Sequence, residues 1–385
     1  MTAEADVLSA QRTRWNELES QLHSIYWQPD IEGLHVIYSA IAAHNLLETE
    51  PIWPMVIAPP SSGKTAIALS PLLALPNTHL LGDLTPKTFL SGKRGKQSSY
   101  LHRIGPSGIL IMKDYGTILS KRDADRNEIH SQMREVYDGE FGRQGGDVNV
   151  QPWKGKITIV AAATQAIDRA WSFHHDLGER FTNVRWRALL GREAGRFACR
   201  QIDNERTQRT EVRRLLRAFM DGRLLIMPPP LSSEQEDYLV DLATFISRCR
   251  ATVVRDSIGK REIIEVGDPE GITRLHKSMS IITRFHAILF NNPNSVGEAD
   301  LDIARRVAVD AVRPARWRFL SNVPMEGEIN RGDLAHLSGI PVGSIGWIGD
   351  ELVALGLVNG FSEAEAGYEL TTVFRSILQA SKLTF

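Results

Sequence analysis

The hydrophobic and polar positions along the chain predict helices first and an α/β region after them. Residues 7–48 carry apolar side chains at helical spacing, among them Leu8, Trp15, Leu18, Leu22, Leu34, Ile37, Ile41 and Leu46. Short apolar runs of strand length then follow at 55–58, 79–82, 108–113 and 156–163, with helical segments between them. Strands that alternate with helices favour a parallel sheet, so we expect an α/β fold.

The second half of the chain is predicted to be mainly helical. The pattern of residues 193–218 predicts one long, charged helix. Further helices are predicted to about residue 320, with interruptions at 228–233 and 255–271. After Val323 the order is helix, Ser-Gly turn, second helix at 341–355, polar stretch and last helix, which predicts a winged helix-turn-helix. We therefore divide the chain into an N-terminal helical segment (1–50), an α/β core (51–192), a helical lid (193–320) and a winged-helix domain (321–385).

The composition indicates a cytoplasmic protein. The chain has 385 residues, 42% of them hydrophobic, which is enough for two or three buried cores. No run reaches the roughly 18 apolar residues that a membrane span needs, so no membrane contact is expected. Glu4 and Asp6 stand where a secretory signal would carry basic residues. Two cysteines, Cys199 and Cys249, supply neither a disulfide framework nor a metal cluster.

The charge is distributed unevenly along the chain. Residues 1–50 contain two arginines and eight carboxylates, whereas residues 51–200 contain 21 lysines and arginines against 13 carboxylates. A polyanion would therefore bind to the middle of the chain. The acidic N-terminal helices instead suggest a protein partner or a collar that stabilises an assembly.

The segment Ala-Pro-Pro-Ser-Ser-Gly-Lys-Thr at 58–65 is close to the phosphate-loop pattern G-x-x-x-x-G-K-[ST], with Ala58 in place of the first glycine. A predicted strand before it and a helix from Gly63 to about Leu73 give the required context. The prolines lie upstream, where the loss of an amide N–H matters little. We predict that this loop binds ATP and Mg²⁺ through Ser61, Ser62, Gly63, Lys64 and Thr65. A chance Gly-Lys-Thr at a helix start is the alternative.

An acidic residue is expected where a later strand ends, because such a group meets the metal ion. Asp114 follows the apolar run 109–112, but Lys113 occupies the position where the first of two acids usually stands. Asp114 alone would then serve the metal, and another residue would activate water, or activation would be weak. Asp83 is the reserve acid. The alternative for Asp114 is a carboxylate that makes a turn.

Two further polar residues are candidates for the same site. Thr164 follows the strand at 156–163 and would lie beside the γ-phosphate if that strand neighbours the loop strand. Arg180, in Leu-Gly-Glu-Arg-Phe, is placed at the far edge of the domain, where it could reach the phosphate of a neighbouring subunit. An ordinary ion pair is the alternative for Arg180.

Two basic segments with glycines are candidates for nucleic-acid binding. The first contains Lys93, Arg94 and Lys96, and the second is a predicted β-hairpin over 141–156 that contains Arg143, Lys154 and Lys156. Such loops could follow a phosphate backbone, although solvated surface loops are an equally good interpretation. The predicted second helix of the C-terminal domain contains Asp350 and Glu351 and no lysine or arginine, and Glu363, Glu365 and Glu369 follow it. This composition favours a protein contact there.

The segments APPSSGKT, ILIMKD, AAATQ, LGERF and GITRLHKSMSIITRFHAILF together resemble the AAA+ ATPases over residues 51–385. The likeness is to the branch that contains the minichromosome-maintenance helicases and the replication helicases of plasmids, phages and mobile elements. It implies phosphate and Mg²⁺ binding by Lys64 and Thr65, an acidic motif at Asp114, a sensor 1 at Thr164, an arginine finger at Arg180 and a sensor 2 at Arg274. Lys113 departs from the pattern. The resemblance also implies a homo-oligomeric ring, expected to be hexameric, with DNA in its channel.

Two functions are therefore expected. The first is a ring-forming, ATP-hydrolysing helicase or translocase that acts on DNA, which the basic middle segment favours. The second is a nucleotide-switched scaffold with little turnover that recruits a protein partner, for example in replication initiation or phage defence. Lys113 and the cation-free helix favour the second function.

Overall fold

The structure is a computed structural model, and it describes residues 2–46, 48–89, 99–142, 152–168, 180–187, 191–221, 227–256, 262–361 and 367–383. The chain forms two compact units. The first consists of Met1–Pro229 and Arg284–Gly297, and the second consists of Pro230–Thr283 and Glu298–Phe385. In the described part of the chain, no helix combines the length and apolar character that a bilayer span requires.

The first unit contains a five-stranded parallel sheet, which confirms the α/β prediction. The first unit has seven described strands, which in chain order are β1 (Trp53–Ile57), β2 (Thr78–Leu81), β3 (Ser107–Met112), β4 (Glu140–Phe141), β5 (Trp153–Lys154), β6 (Lys156–Ala163) and β7 (Phe181–Arg185). The strand order in the sheet is β2-β3-β6-β1-β7, and β4 pairs separately with β5. The predicted strands at 55–58, 79–82, 108–113 and 156–163 correspond to β1, β2, β3 and β6, whereas β7 was not predicted.

Helices cover both faces of this sheet. The described helices of the first unit are α1 (Thr2–Ile25), α2 (Ile31–Leu46), α3 (Tyr100–Ile104), α4 (Gly116–Leu119), α5 (Asp123–Tyr137), α6 (Arg192–Gln201) and α7 (Glu205–Asp221), of which α2 and α5 pack on the sheet. All five residues of β1 are buried, and alternate ones belong to the core cluster that contains side chains of α5. Helix α2 also contacts β1, β6 and β7. A strand that is buried on both faces reads as a continuous apolar run, as β1 does.

The helices of the first unit are grouped differently from the predicted segments. The predicted long helix at 193–218 is two helices, α6 and α7, which are separated by a turn at 202–204 that contains Asp203 and Asn204. These two residue types favour turns over helix interiors. Because α7 packs on α1, and α2 packs on the sheet, residues 1–50 and 193–221 belong to the α/β unit.

The second unit is mainly helical. Its elements are α8 (Ser233–Arg250), β8 (Val253–Arg255), β9 (Ile263–Val266), α9 (Ile272–Phe290, of which residues 284–290 belong to the first unit), α10 (Glu298–Ala311), α11 (Pro314–Leu320), β10 (Ile329–Asn330), α12 (Arg331–Ser338), α13 (Val342–Ala354), β11 (Val358–Phe361), β12 (Gly367–Leu370) and α14 (Thr372–Ala380). Strands β8 and β9 pair antiparallel where only an interruption was predicted. Strands β10, β12 and β11 form a small antiparallel sheet beside α12 and α13.

A buried arginine organises the second unit. Arg316 is 1% exposed and donates to the carbonyls of Cys249 and Ala251 at 2.9 and 2.7 Å. It also donates to Glu351, which accepts a further bond from Arg313. Glu351, one of the two acids of the predicted second helix, is therefore a mostly buried ion-pair partner that links α11 to α13. Helix α13 itself contains no lysine or arginine.

Candidate functional site

The loop at 58–65 begins at the carboxyl end of the central strand β1. Hydrogen bonds hold this end of β1 on both sides, because Ala58 N donates to Ala163 O at 3.2 Å and Trp186 N donates to Ile57 O at 2.9 Å. The residues that follow β3, β6 and β7 meet at the same edge of the sheet, since all five strands run parallel. In open parallel sheets this edge is where ligands bind.

The loop backbone has the form of an anion cradle. Ser61 and Gly63 have φ angles of 60° and 79°, whereas Lys64 has φ of −46°. Successive residues of opposite handedness turn their amide N–H groups toward one side, where an anion can accept them. A side chain at position 63 would be strained, and its Cβ would lie 2.8 Å from Ile67 Cδ1. The glycine is therefore required by the shape of the loop.

Ser62 provides a test of whether the loop suits a phosphate. Ser62 is 6% exposed, and its hydroxyl has no hydrogen-bond partner among the described residues. A buried polar atom without a partner is unusual in a folded protein, and a bound anion would supply one. The hydrogen-bond donors of the loop therefore suit a phosphate group.

The ammonium group of Lys64 folds back over the loop. Lys64 Nζ donates to Pro59 O at 3.2 Å and to Ala58 O at 3.4 Å. Burial lowers the pKa of this ammonium group below its usual value, and the negative charge of Asp114 opposes that shift. Lys64 and Asp114 therefore interact electrostatically, although they follow strands that are not neighbours in the sheet.

The helix after the loop is irregular, in contrast to the regular helix predicted for residues 63–73. A π-helical turn covers Thr65–Leu69, and a 3₁₀ turn covers Ser70–Ala74. Pro71 accounts for part of the difference, because proline donates no amide hydrogen bond and its ring clashes with the carbonyl four residues before it. Thr65 is the first residue of the π-helical turn and is half-buried.

Asp114 is exposed and immediately follows β3. Its Oδ1 accepts from Gly116 N at 2.9 Å, and its carbonyl accepts from Thr117 Oγ1 at 3.0 Å. The turn-forming role considered for this residue is therefore present. A carboxylate can accept several bonds, so Oδ2 can still meet a cation. Lys113 is also exposed.

Thr164 lies at the end of β6, which pairs in parallel with β1 through Met55, Val56 and Ile57. Thr164 was predicted to lie beside the γ-phosphate only if its strand neighbours the loop strand. Strand β6 does neighbour β1. A short 3₁₀ turn, Gln165–Asp168, follows, in which Ile167 N donates to Thr164 O at 3.1 Å.

Asp168 and Arg185 are part of this edge and were not found from the sequence. Arg185 ends β7 and donates to both carboxylate oxygens of Asp168, at 2.7 and 3.0 Å. The signal that could have revealed the strand is Phe181-Thr182-Asn183-Val184, which contains an aromatic residue and two β-branched residues.

The reserve acid, Asp83, is occupied by a surface contact. Lys121 Nζ donates to Asp83 Oδ2 at 2.7 Å, and the Asp83 side chain is 51% exposed. Asp114, whose charge reaches Lys64, is the better candidate of the two.

Arg180 stands at the opposite end of the sheet from the loop. It precedes Phe181, which pairs with Trp53, whereas the loop begins after Ile57, about 13 Å further along β1. Its guanidinium donates to Asp138 at 3.3 Å and lies over the ring of Tyr137. The predicted alternative, an ion pair, is thus present in the single chain. A role of Arg180 at a phosphate would require another copy of the chain.

Two of the six predicted nucleic-acid contacts lie in the described residues. Strands β4 and β5 pair antiparallel, as the predicted hairpin requires, and Lys154 forms an exposed ion pair with Glu140 at 2.7 Å. Lys156 is half-buried and donates to Ala43 O at 3.4 Å, and burial lowers its pKa to about 8. Lys156 is therefore not the exposed cation that was expected. The remaining four, Lys93, Arg94, Lys96 and Arg143, lie outside the described residues.

Arg274 is in the first turn of α9, within the second unit. It lies near Arg250, since its charge adds to the effect of burial in lowering the pKa of that buried guanidinium, while Glu270 opposes both. Its predicted role as sensor 2 stays a prediction.

Comparisons with known proteins give no family assignment. No protein-family model matches the chain, and no curated protein matches it significantly in sequence. In the described ranges there is also no group of three or more His, Cys, Asp or Glu side chains that could hold a metal ion. A divalent cation at the loop would therefore need ligands from a bound nucleotide as well as from Thr65 and Asp114.

Proposed function

We propose that this chain is an AAA+ ATPase of the minichromosome-maintenance-like branch, which assembles into a ring, expected to be hexameric, and acts as a helicase or translocase on DNA. One observation carries the proposal. The anion cradle, Lys64, the Asp114 carboxylate and Thr164 all lie at the carboxyl edge of one parallel sheet, and the charges of Lys64 and Asp114 interact. This combination is what triphosphate binding with a metal ion requires.

Each of these residues would have a distinct role at the bound nucleotide. The amides of residues 61–65 and the Lys64 ammonium would bind phosphate oxygens, and the Ser62 hydroxyl would gain the partner it lacks. Thr65 and Asp114 would hold Mg²⁺. Thr164, on the neighbouring strand, would donate a hydrogen bond to the terminal phosphate. When bound, Mg-ATP supplies the phosphoanhydride whose cleavage drives movement.

The C-terminal helices and strands support a winged helix-turn-helix. Helices α12 and α13 are joined at Gly339, which has a left-handed φ of 64°, and the paired strands β11 and β12 that follow α13 would form a two-stranded wing. The described part of this wing carries Glu369. Helix α13 carries no lysine or arginine, so we propose that it contacts protein and not the phosphate backbone.

A nucleotide-switched scaffold is the second candidate, and the surface of α13 favours it. Val342 and Trp347 on this helix are 57% and 42% exposed, and Leu337 on α12 is 61% exposed. A cavity of about 350 Å³ lies nearby, bounded by residues of 320–329 together with Leu337, Leu378 and Leu383. Exposed apolar side chains of this kind mark protein contacts. Lys113, beside the catalytic acid, would reduce turnover in such a protein.

The proposal is tested by ATP hydrolysis of the purified full chain, with and without single-stranded DNA, beside a Lys64→Ala variant. A motor hydrolyses ATP, responds to DNA and loses activity by at least about tenfold in the variant, since a charge-assisted contact contributes about 1.5–3 kcal/mol. Turnover that is unchanged by Lys64→Ala would reject the site. Nucleotide-dependent assembly without turnover or strand separation would favour the scaffold.

A further inference from the structure

Helix α6 presents a row of arginines to solvent. None of its residues is buried, and Arg192, Arg196 and Arg200 recur every four residues. Four-residue spacing keeps these side chains on one face of the helix, which we call the arginine face, and separates the first from the last by about 12 Å along the axis. Arg192 and Arg200 make no ion pair or hydrogen bond within the described ranges.

The side of α6 next to the arginine face already has partners within the first unit. The ring of Phe197 lies 5.8 Å from the ring of Trp27, and Gln201 Nε2 donates to Ser24 O at 3.1 Å. These contacts fix the helix against the end of α1. This side of α6 is therefore partly covered by its own unit, whereas the arginine face is exposed.

The positive charge continues into α7. Residues 191–221 contain eight arginines, no lysine and five carboxylates, an excess of three positive charges. Gln208 Nε2 donates to Gln201 Oε1 at 3.0 Å, which joins the start of α7 to the end of α6. Four of these five acids pair with arginines of the same helix on exposed surface, as Glu193 does with Arg196 at 2.9 Å. Such exposed pairs contribute at most about 1 kcal/mol each, so a phosphate can replace the carboxylate.

We propose that the arginine face binds the phosphate backbone of a nucleic acid. Arginine suits this partner because its guanidinium can donate two parallel hydrogen bonds to one phosphate. The row of about 12 Å matches the axial rise of three to four nucleotides, at about 3.4 Å each. The choice of a nucleic acid as the partner rests on the proposed DNA motor. The arginine face is a different surface from the two basic segments, at 93–96 and 141–156, that were predicted to bind nucleic acid.

The test is the binding of a fluorescein-labelled 30-nucleotide single strand, and of its duplex, to the full chain without ATP at several salt concentrations. The triple variant Arg192→Gln, Arg196→Gln, Arg200→Gln should bind at least tenfold more weakly. The slope of log affinity against log salt should also become shallower by about 2, since each phosphate contact contributes about 0.7–0.9. The Arg→Lys triple variant keeps the charges and should retain most of this slope.

A control triple variant removes the same charge from exposed arginines elsewhere, Arg12→Gln, Arg122→Gln and Arg318→Gln. It should change affinity and slope by less than half as much. Equal losses in both triple variants, no binding by the unmodified chain, or equally tight, arginine-dependent binding to phosphatidylserine vesicles would each overturn the assignment. Because ATP is absent, this result can fail independently of the Lys64→Ala hydrolysis test. Circular dichroism of each variant verifies folding.

Discussion

Arg185 Nη1 and Nη2 donate to the two carboxylate oxygens of Asp168 at 3.0 and 2.7 Å, and this paired contact spans the end of strand β1. Asp168 ends the turn that follows β6, and Arg185 ends β7, so the two residues join the strands on either side of the loop strand. Both side chains are mostly buried, at 18% and 16% exposure. The pair therefore fixes the base from which the 58–65 loop and Thr164 project.

Replacing Asp168 with alanine should lower the free energy of unfolding by about 1–3 kcal/mol, because the mostly buried Arg185 guanidinium loses two charge-assisted hydrogen bonds. Urea unfolding measures the change. Asp83→Ala is the matched control, since it removes a carboxylate from the more exposed pair with Lys121 and should cost at most about 1 kcal/mol. Equal losses in the two variants would show that the Asp168–Arg185 contact has no special structural role.

The loop geometry gives a second prediction, for Gly63→Ala. At φ of 79° an L-residue is strained by about 1–2 kcal/mol, and the new methyl group would also press on Ile67. The variant should unfold at correspondingly lower urea concentration. Gly82→Ala is the control, since a Cβ there meets no atom within 4 Å and its backbone is not left-handed. If Gly63→Ala were as stable as Gly82→Ala, the left-handed conformation of the loop would be wrong.

The sequence predicted those helices and strands whose hydrophobic pattern is regular over a few residues. The mainly apolar run at 156–163 predicted the observed bounds of β6, Lys156–Ala163. Strand β7 was missed because Thr182, Asn183 and Arg185 interrupt its apolar pattern, and only pairing with β1 buries it. The loop candidate was found because its glycine, lysine and threonine are adjacent. The surroundings of Lys156 and Arg180 could not be predicted, since their partners lie 113 and 42 residues away in the chain.

A third prediction concerns pH and His44. This buried imidazole contacts Thr158 Oγ1 at 2.9 Å and Ser107 Oγ at 3.0 Å. Burial, with a smaller effect from Lys156, lowers its pKa to about 4. The unfolded chain, with a His pKa near 6.5, binds more protons between pH 6.5 and 4, so stability falls as pH falls through this window. The loss attributable to His44 reaches roughly 3 kcal/mol at pH 4.

His44→Gln should remove this part of the pH dependence, because an amide can bond both hydroxyls and does not titrate. The measurement is the difference in unfolding free energy between the two proteins from pH 7 to pH 4, which cancels the carboxylates they share. The variant should gain relative stability as pH falls. Parallel profiles would mean that folding does not lower the pKa of His44.

The last prediction concerns Arg180 and the next copy of the chain. Arg180 cannot reach its own loop, because it lies at the other end of the sheet beside Asp138. If it completes a neighbour's site in the proposed ring, Arg180→Ala should reduce hydrolysis by about a thousandfold or more. Lys64→Ala should also be inactive. A mixture of the two inactive proteins should nevertheless regain activity, because some contacts then join an intact Lys64 to an intact Arg180.

For equal amounts and random assembly, about one quarter of the head-to-tail contacts contain both intact residues. The mixture should therefore recover up to about a quarter of the original rate, whereas neither variant recovers on addition of more of itself. Mass photometry establishes that mixed assemblies form before rates are compared. Mixed assemblies that stay inactive would exclude a shared site and leave Arg180 with the structural role seen in one chain, as the partner of Asp138 and Tyr137.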